Sequence, residues 1–177
     1  GKALKLGNAS AYVVFPTSSS LNTPAYTIET WFRRDGTGIA TTTGANGTFI
    51  EPMIAKGTAE VENATADSNY IFGINPGGNT LCADFEEAAS GTTPGLNHPI
   101  CGTTAIQNGV WYHAAATYDG TTWHLYLNGM PEASLTVSQP ANDMNIAPVS
   151  LGTSIQSDGA TTQGFFNGTL EEVRIWN

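Results

Sequence analysis

Between Val110 and Gly129 the chain reads VWYHAAATYDGTTWHLYLNG, and its rings fall at alternate positions: Trp111 and His113 before Asp119-Gly120, His124 and Tyr126 after it. An indole or phenol face stacks on the C–H-rich face of a pyranose, while imidazole and phenol groups hydrogen-bond hydroxyls, so this set fits sugar recognition. The same rings also suit packing under a loop or against a neighbouring strand such as that of Glu29 and Trp31. Asp84 and Glu86 form a second set, one residue apart, expected at a loop rim together with Asp143 and Asn145. Two carboxylates on one side of a strand can fix hydroxyls, or act as half of an acid–base pair given a partner across a groove. Nucleophilic catalysis has little to work with, because neither Ser nor Cys is placed by sequence beside His113 or His124, and His98 stands alone. Two histidines on neighbouring strands could hold a transition metal, but a third ligand is not visible and zinc sites need three or four.

A hairpin must position the first set. Asp119-Gly120 tolerates the positive φ angles of a tight turn, and the flanking runs alternate. A two- or four-residue loop puts Tyr112, Ala114, Ala116 and Tyr118 on one face with Trp123, Leu125 and Leu127, leaving Trp111, His113, His124 and Tyr126 on the other. A three-residue loop would turn every side chain over.

The remaining chain reads as further strands. Alternation or short apolar runs predict them over 2–7, 11–15, 26–34, 49–56, 69–75, 80–86, 132–137, 149–153 and 165–176, with Gly-, Thr- and Asn-rich loops between. In the strand over 26–34, Glu29 and Trp31 share one side and Ile28 and Phe32 the other. Pro52 marks an edge or a bulge. Residues 83–100 read as a long loop without periodicity, of the kind that often binds.

Composition agrees with an all-β class: 177 residues hold 20 Gly and 9 Pro, with no long stretch of helical periodicity, and the length suits one domain over 1–177. With 6 Lys plus Arg against 15 Asp plus Glu, the net charge is −9. A nucleic-acid partner needs a basic footprint this chain lacks, and no apolar run is long enough for membrane insertion. Excess carboxylate suits divalent cations or simply a solvated surface. Cys82 and Cys101 bracket the 83–100 loop; a disulfide there restrains the unfolded chain by about 3 kcal/mol, the alternative being two buried thiols. The start on strand-like sequence at Gly1 and the end at Asn177 are read as those of a module from a larger secreted parent chain with other domains.

The hairpin, Ala25–Phe32 (AYTIETWF), the closing Phe166–Asn177 (FNGTLEEVRIWN) and the opening GKALKLGNASAYVVF, in that order, resemble the laminin-G-like (LamG) domains of the concanavalin A-like lectin/glucanase superfamily. The resemblance covers essentially the whole chain and implies a two-sheet antiparallel jelly-roll sandwich. It implies a non-catalytic module that binds carbohydrate or a glycosylated surface in adhesion outside the cell, a structural or protein-interaction spacer, or a glycoside hydrolase. The Glu-x-Asp-x-x-Glu arrangement of hydrolases in that superfamily is absent here, so no catalytic residue is assigned. It also implies a structural calcium where the first strand's turn meets the last strand. The usual Phe-Asp-Gly and Ile-Asp-Glu stand here as Leu6-Gly7-Asn8 and Leu170-Glu171-Glu172, making Asn8 and Glu171 the expected metal ligands. Asp35, Asp67 and Asp143 are alternative loop ligands.

Overall fold

The computed structural model describes residues 2–7, 10–62 and 66–177. Among them are fifteen strands and one short 3-10 turn at Ser19–Leu21, with no α-helix. Two large antiparallel sheets face each other. The first runs in the order β1 (Leu4–Leu6), β15 (Gly168–Trp176), β3 (Tyr26–Arg34), β9 (Trp111–Tyr118), β10 (Thr122–Leu127), β11 (Met130–Thr136). The second runs β2 (Val13–Val14), β12 (Val149–Leu151), β5 (Phe49–Lys56), β6 (Tyr70–Asn75), β7 (Thr80–Asp84), β8 (Ile100–Ala105), with β4 (Thr41–Thr42) also against β5. A small ribbon joins β13 (Ser154–Ile155) to β14 (Thr162–Gln163). The all-β sandwich expected from composition and resemblance is the fold.

The register of the central hairpin decides which rings face solvent. Tyr118 pairs with Trp123, so residues 119–122 form a four-residue connection. The Asp119 carboxylate caps it, accepting the N–H groups of Thr121 at 2.8 Å and Thr122 at 2.7 Å, and Gly120 takes φ +89°. With that even-numbered loop, Tyr112, Ala114, Ala116, Tyr118, Trp123, Leu125 and Leu127 all point into the core and are buried, as the alternation predicts. Trp123 sits among Tyr26, Phe85 and Tyr118, with ring centroids 5.3–5.7 Å from its own. Burial of aromatic area on this scale is the main stabilising contribution of the interior.

A second hairpin follows at once. Asn128 and Gly129 both adopt positive φ, 51° and 76°, in a two-residue turn between Leu127 and Met130. Asn-Gly is a strong signal for this geometry, yet Asn128 read as strand and β11 was expected only from Glu132. The strand begins two residues earlier, on the sheet edge.

Strand β15 carries a bulge that shapes the outer surface. Glu171 pairs with Trp31 and Arg174 with Glu29, so Thr30 alone faces two residues, 172 and 173. Glu172 occupies the left-handed region at φ 54°, and the inserted residue switches the phase of the strand. Leu170 points inward before it, and Val173 and Ile175 pack on the core after it.

One detail of the expected strand map is met and one is corrected. Pro52 lies at a bulge between Pro52 and Ile54, the second of the two expected alternatives. Gly73 of β6 pairs with Pro52 on one side; on the other, β4 reaches only Phe49 and Ile50 and β12 only residues 54–56, so no strand stands opposite Pro52 there. β8 was not predicted because an edge strand exposed at Thr103–Ala105 shows no apolar alternation. It brings Cys101 opposite Cys82, and the two are bridged.

One ion pair ties the layers. Arg34, inward on β3, donates from Nη2 to Glu51 Oε1 on β5 and from Nη1 to Asn79 Oδ1, both at 2.7 Å. Both charged partners are almost fully buried. Removing one member would strand the other's charge in the interior, which makes the pair costly to break from one side.

Candidate functional site

The outer face of the first sheet carries the site. Cross-strand register sets its side chains in rows: Thr169, Arg33 and Trp111; then Glu171, Trp31 and His113; then Arg174, Glu29, Ala115 and Tyr126; then Trp176, Thr27, Thr117 and His124. Trp31 and Trp111 are diagonal neighbours, a spacing of about 7–8 Å between strands. They remain 43% and 37% exposed. With Glu171 and Glu172 they line a cavity of about 390 Å³. The bulge creates its acidic wall, because the extra residue in β15 brings two consecutive glutamates beside Trp31 instead of one.

Neighbouring charges hold the rings. Glu29 accepts the indole N–H of Trp176 at 3.0 Å and lies 3.3 Å from His113 Nε2 and 3.8 Å from Arg174. His113 then meets the Trp31 ring edge-on at 5.3 Å. Arg33 places its guanidinium 5.6 Å over Trp111 while pairing with Asp35, Nε to Oδ1 at 2.7 Å. That pairing holds the Asp35 carboxyl below its usual range. Arg174 is hydrogen-bonded to Glu172. The cavity and its surround therefore offer two indoles, carboxylate acceptors and guanidinium donors together. Such a set stacks on an apolar ring face and binds polar substituents at its rim.

The predicted ring set divides. Trp111 lines the cavity, and His113 touches Trp31 and Glu29 beside it. His124 and Tyr126 share the outer face, with their rings 6.2 Å apart, but lie in rows further along the hairpin and outside the cavity. His113 aligns with Asn128, whose Oδ1 accepts its N–H at 2.9 Å, while His124 pairs with Thr117. Four residues of strand separate the histidines, about 13 Å, so no common metal joins them. Arg33, Trp31 and Glu172 join the site without having been assigned to it. The outward phase of Trp31 was readable from alternation; the pairing of β3 with β9 and the bulge at Glu172 had no local signal.

The carboxylates expected at a loop rim are corrected. Asp84 and Glu86 are fully buried, because residues 43–48 and 97–98 fold over this end of the second sheet. Asp84 accepts the Thr43 hydroxyl at 2.5 Å, and burial pushes its carboxyl well above the normal range. Glu86 is bridged to Asn97 and lies close to Asp67. Burial, together with the neighbouring Glu86 carboxyl, pushes Asp67 up to about 9. Asn145 is buried too and caps Ala147 through its own side chain. Neither Asp84 nor Glu86 can contact a sugar at an exposed rim in this arrangement. His98 is held by Glu87, Nε2 to Oε2 at 3.0 Å, and packs on Phe85.

Of the metal ligands expected by resemblance, Asn8 lies outside the described residues. Glu171 stands on the outer face, in the wall of the cavity beside Trp31. Among the described residues, the set of three or more metal-ligating side chains within reach of one ion is Glu62, Asp67 and Glu86.

Residues 6–177 match the profile of the Concanavalin A-like lectin/glucanases superfamily, Laminin_G_3. The chain belongs to that superfamily. No curated protein matches it at the level of sequence. Among solved structures it is similar to the CBM40 of a Ruminococcus gnavus IT-sialidase bound to α2,3-sialyllactose, with TM-score 0.69 and 13% identity over 99% of this chain and 90% of that one. It is also similar to domain 4 of an extracellular GH43 arabinanase from Geobacillus stearothermophilus in complex with arabinotriose, with TM-score 0.55, 20% identity and coverage of 97% and 68%. A third is a heptameric SAP-like pentraxin from Limulus polyphemus, with TM-score 0.55, 16% identity and coverage of 86% and 63%. At these identities the likeness is one of fold.

Proposed function

We propose that this chain is a non-catalytic carbohydrate-binding module that acts outside the cell as part of a larger protein. The ligand platform is the outer face at Trp31 and Trp111. The observation that carries this reading is the pair of exposed indoles flanking a cavity walled by Glu171 and Glu172. Sugar hydroxyls find acceptors in those glutamates and donors in Arg33 and Arg174, while the indoles cover the ring's C–H face. The solved structures bound to sialyllactose and arabinotriose support the ligand class. The Cys82–Cys101 disulfide supports an oxidising compartment. No helix among the described residues is long and apolar enough to cross a membrane.

Affinity electrophoresis against a panel of polysaccharides, followed by a glycan array, tests the reading. Retardation by at least one glycan is expected, lost in Trp31→Ala and in Trp111→Ala while circular dichroism stays that of the parent. Absence of retardation by every glycan would favour a spacer or protein-interaction role. Retardation that survives both substitutions would move the site elsewhere on the sandwich.

A further inference from the structure

The charges around the Trp31–Trp111 cavity do not balance, and the imbalance bears on the class of sugar it takes. Each acid there but one has a cation beside it. Asp35 is matched by Arg33 at 2.7 Å and, from β1, by Lys5. Glu172 is bound to Arg174, and Glu29 lies 3.3 Å from His113 and 3.8 Å from Arg174. Glu171 differs. Thr30 Oγ1 donates to its main-chain carbonyl at 3.1 Å, but its carboxylate has no counter-ion and no hydrogen bond among the described residues.

Register puts that unmatched carboxylate beside an indole. Glu171 stands directly opposite Trp31 in the β15–β3 ladder, and side chains in such a pair rise from Cβ atoms about 4.5–5.5 Å apart. Both line the cavity. A protonated amine placed between them meets a full negative charge and an indole π system at once. The other indole already behaves in this way, since the Arg33 guanidinium lies 5.6 Å over Trp111, whereas no lysine or arginine covers Trp31 among the described residues. A cavity of about 390 Å³ has room for the terminal part of a glycan. An acidic sugar entering it would bring its carboxylate towards Glu171 and Glu172, on a chain of net charge −9, and like charges at that range cost affinity.

We propose that this cavity selects glycans carrying a free amine, the de-N-acetylated hexosamine class, and seats the ammonium against Glu171 and Trp31. This ligand class rests on the carbohydrate reading above and narrows it by fixing the charge of the sugar. N-acetylated hexosamines stack on the same indoles but lack the ammonium, and so lose the ion pair. Carboxylated sugars are disfavoured outright. Arg33 and Arg174 remain donors to hydroxyls, their charge being answered by Asp35 and Glu172.

Calorimetric titration with a short glucosamine oligosaccharide, its fully N-acetylated counterpart and sialyllactose tests this, in EDTA and below the pKa of the sugar amine. The amine form should bind about tenfold tighter than the acetylated one, with the difference shrinking as salt is added, and sialyllactose should bind most weakly. Glu171 is partly exposed, so Glu171→Gln should fold as the parent does and bind the two hexosamine oligosaccharides alike. Asp158→Asn removes the same charge from the exposed turn after β13 and should leave the preference intact. Trp31→Ala should abolish binding of both. The proposal is overturned if the acetylated form or sialyllactose binds as tightly as the amine, if the preference survives Glu171→Gln, or if Asp158→Asn lowers it equally. Binding of the acetylated or sialylated sugar that Trp31→Ala removes would in that case leave the carbohydrate reading standing. No binding of these three sugars, with no retardation by any glycan of the panel, would overturn both.

Discussion

The central hairpin places a tryptophan on each of its two faces, and their surroundings are opposite. Trp123 is wholly enclosed by Tyr26, Phe85 and Tyr118, whereas Trp111 stands in solvent with Arg33 above it and the acidic cavity beside it. Strand alternation alone separates the two, since residues 111 and 123 flank an even-numbered connection and differ in phase. The same side chain is thus core material at one position and a contact surface at the other. Hydrophobicity does not decide which; phase within the sheet does.

The contrast can be broken or sharpened by substitution. Trp123→Ala should have the largest effect, a loss of about 3–5 kcal/mol in urea unfolding, because the void lies among packed rings. Replacing Cys82 and Cys101 together by Ala should cost about 3 kcal/mol by the same assay, with glycan retardation intact at temperatures where the variant is folded. Trp111→Ala should cost about 1 kcal/mol or less and abolish retardation. If it destabilised the chain as severely as Trp123→Ala, the two faces would not differ as described. Glu172→Gly should have the smallest effect, a gain of a few tenths to about 1 kcal/mol, because glycine relieves the left-handed backbone at the bulge. A loss of stability there would show that the Glu172 side chain matters more than its backbone angle.

Much of the sandwich was legible in the chain because its strands have one wet and one dry face. Strands over 26–34 and 49–56 occur with the expected bounds, and the inward set of the hairpin is the expected one. What failed lacked that asymmetry. β8 lies at a sheet edge with its Thr-rich half exposed, so nothing in Ile100–Ala105 alternates. Asp84 and Glu86 read as a wet rim, because carboxylates seldom enter an interior without partners. Their burial depends on two distant loops, 43–48 and 97–98, whose sequences carry no period. The candidate carbohydrate site was half legible: Trp111 and His113 were visible from the hairpin, and Trp31 from its own strand. Glu172 was not, since a bulge formed at Glu171-Glu172 has no glycine to announce it.

The Arg34–Glu51 pair has a further consequence for how this surface could change. On β3 the even-numbered side chains do the assembly, from Tyr26 in the aromatic cluster to Arg34 bound across the layers, while Glu29, Trp31 and Arg33 meet only the outside. Those three odd positions can therefore be rewritten towards a new sugar without disturbing the joint between the sheets. One strand serves as both girder and exchangeable tool face, and a library confined to residues 29, 31 and 33 would explore specificity at little risk to folding.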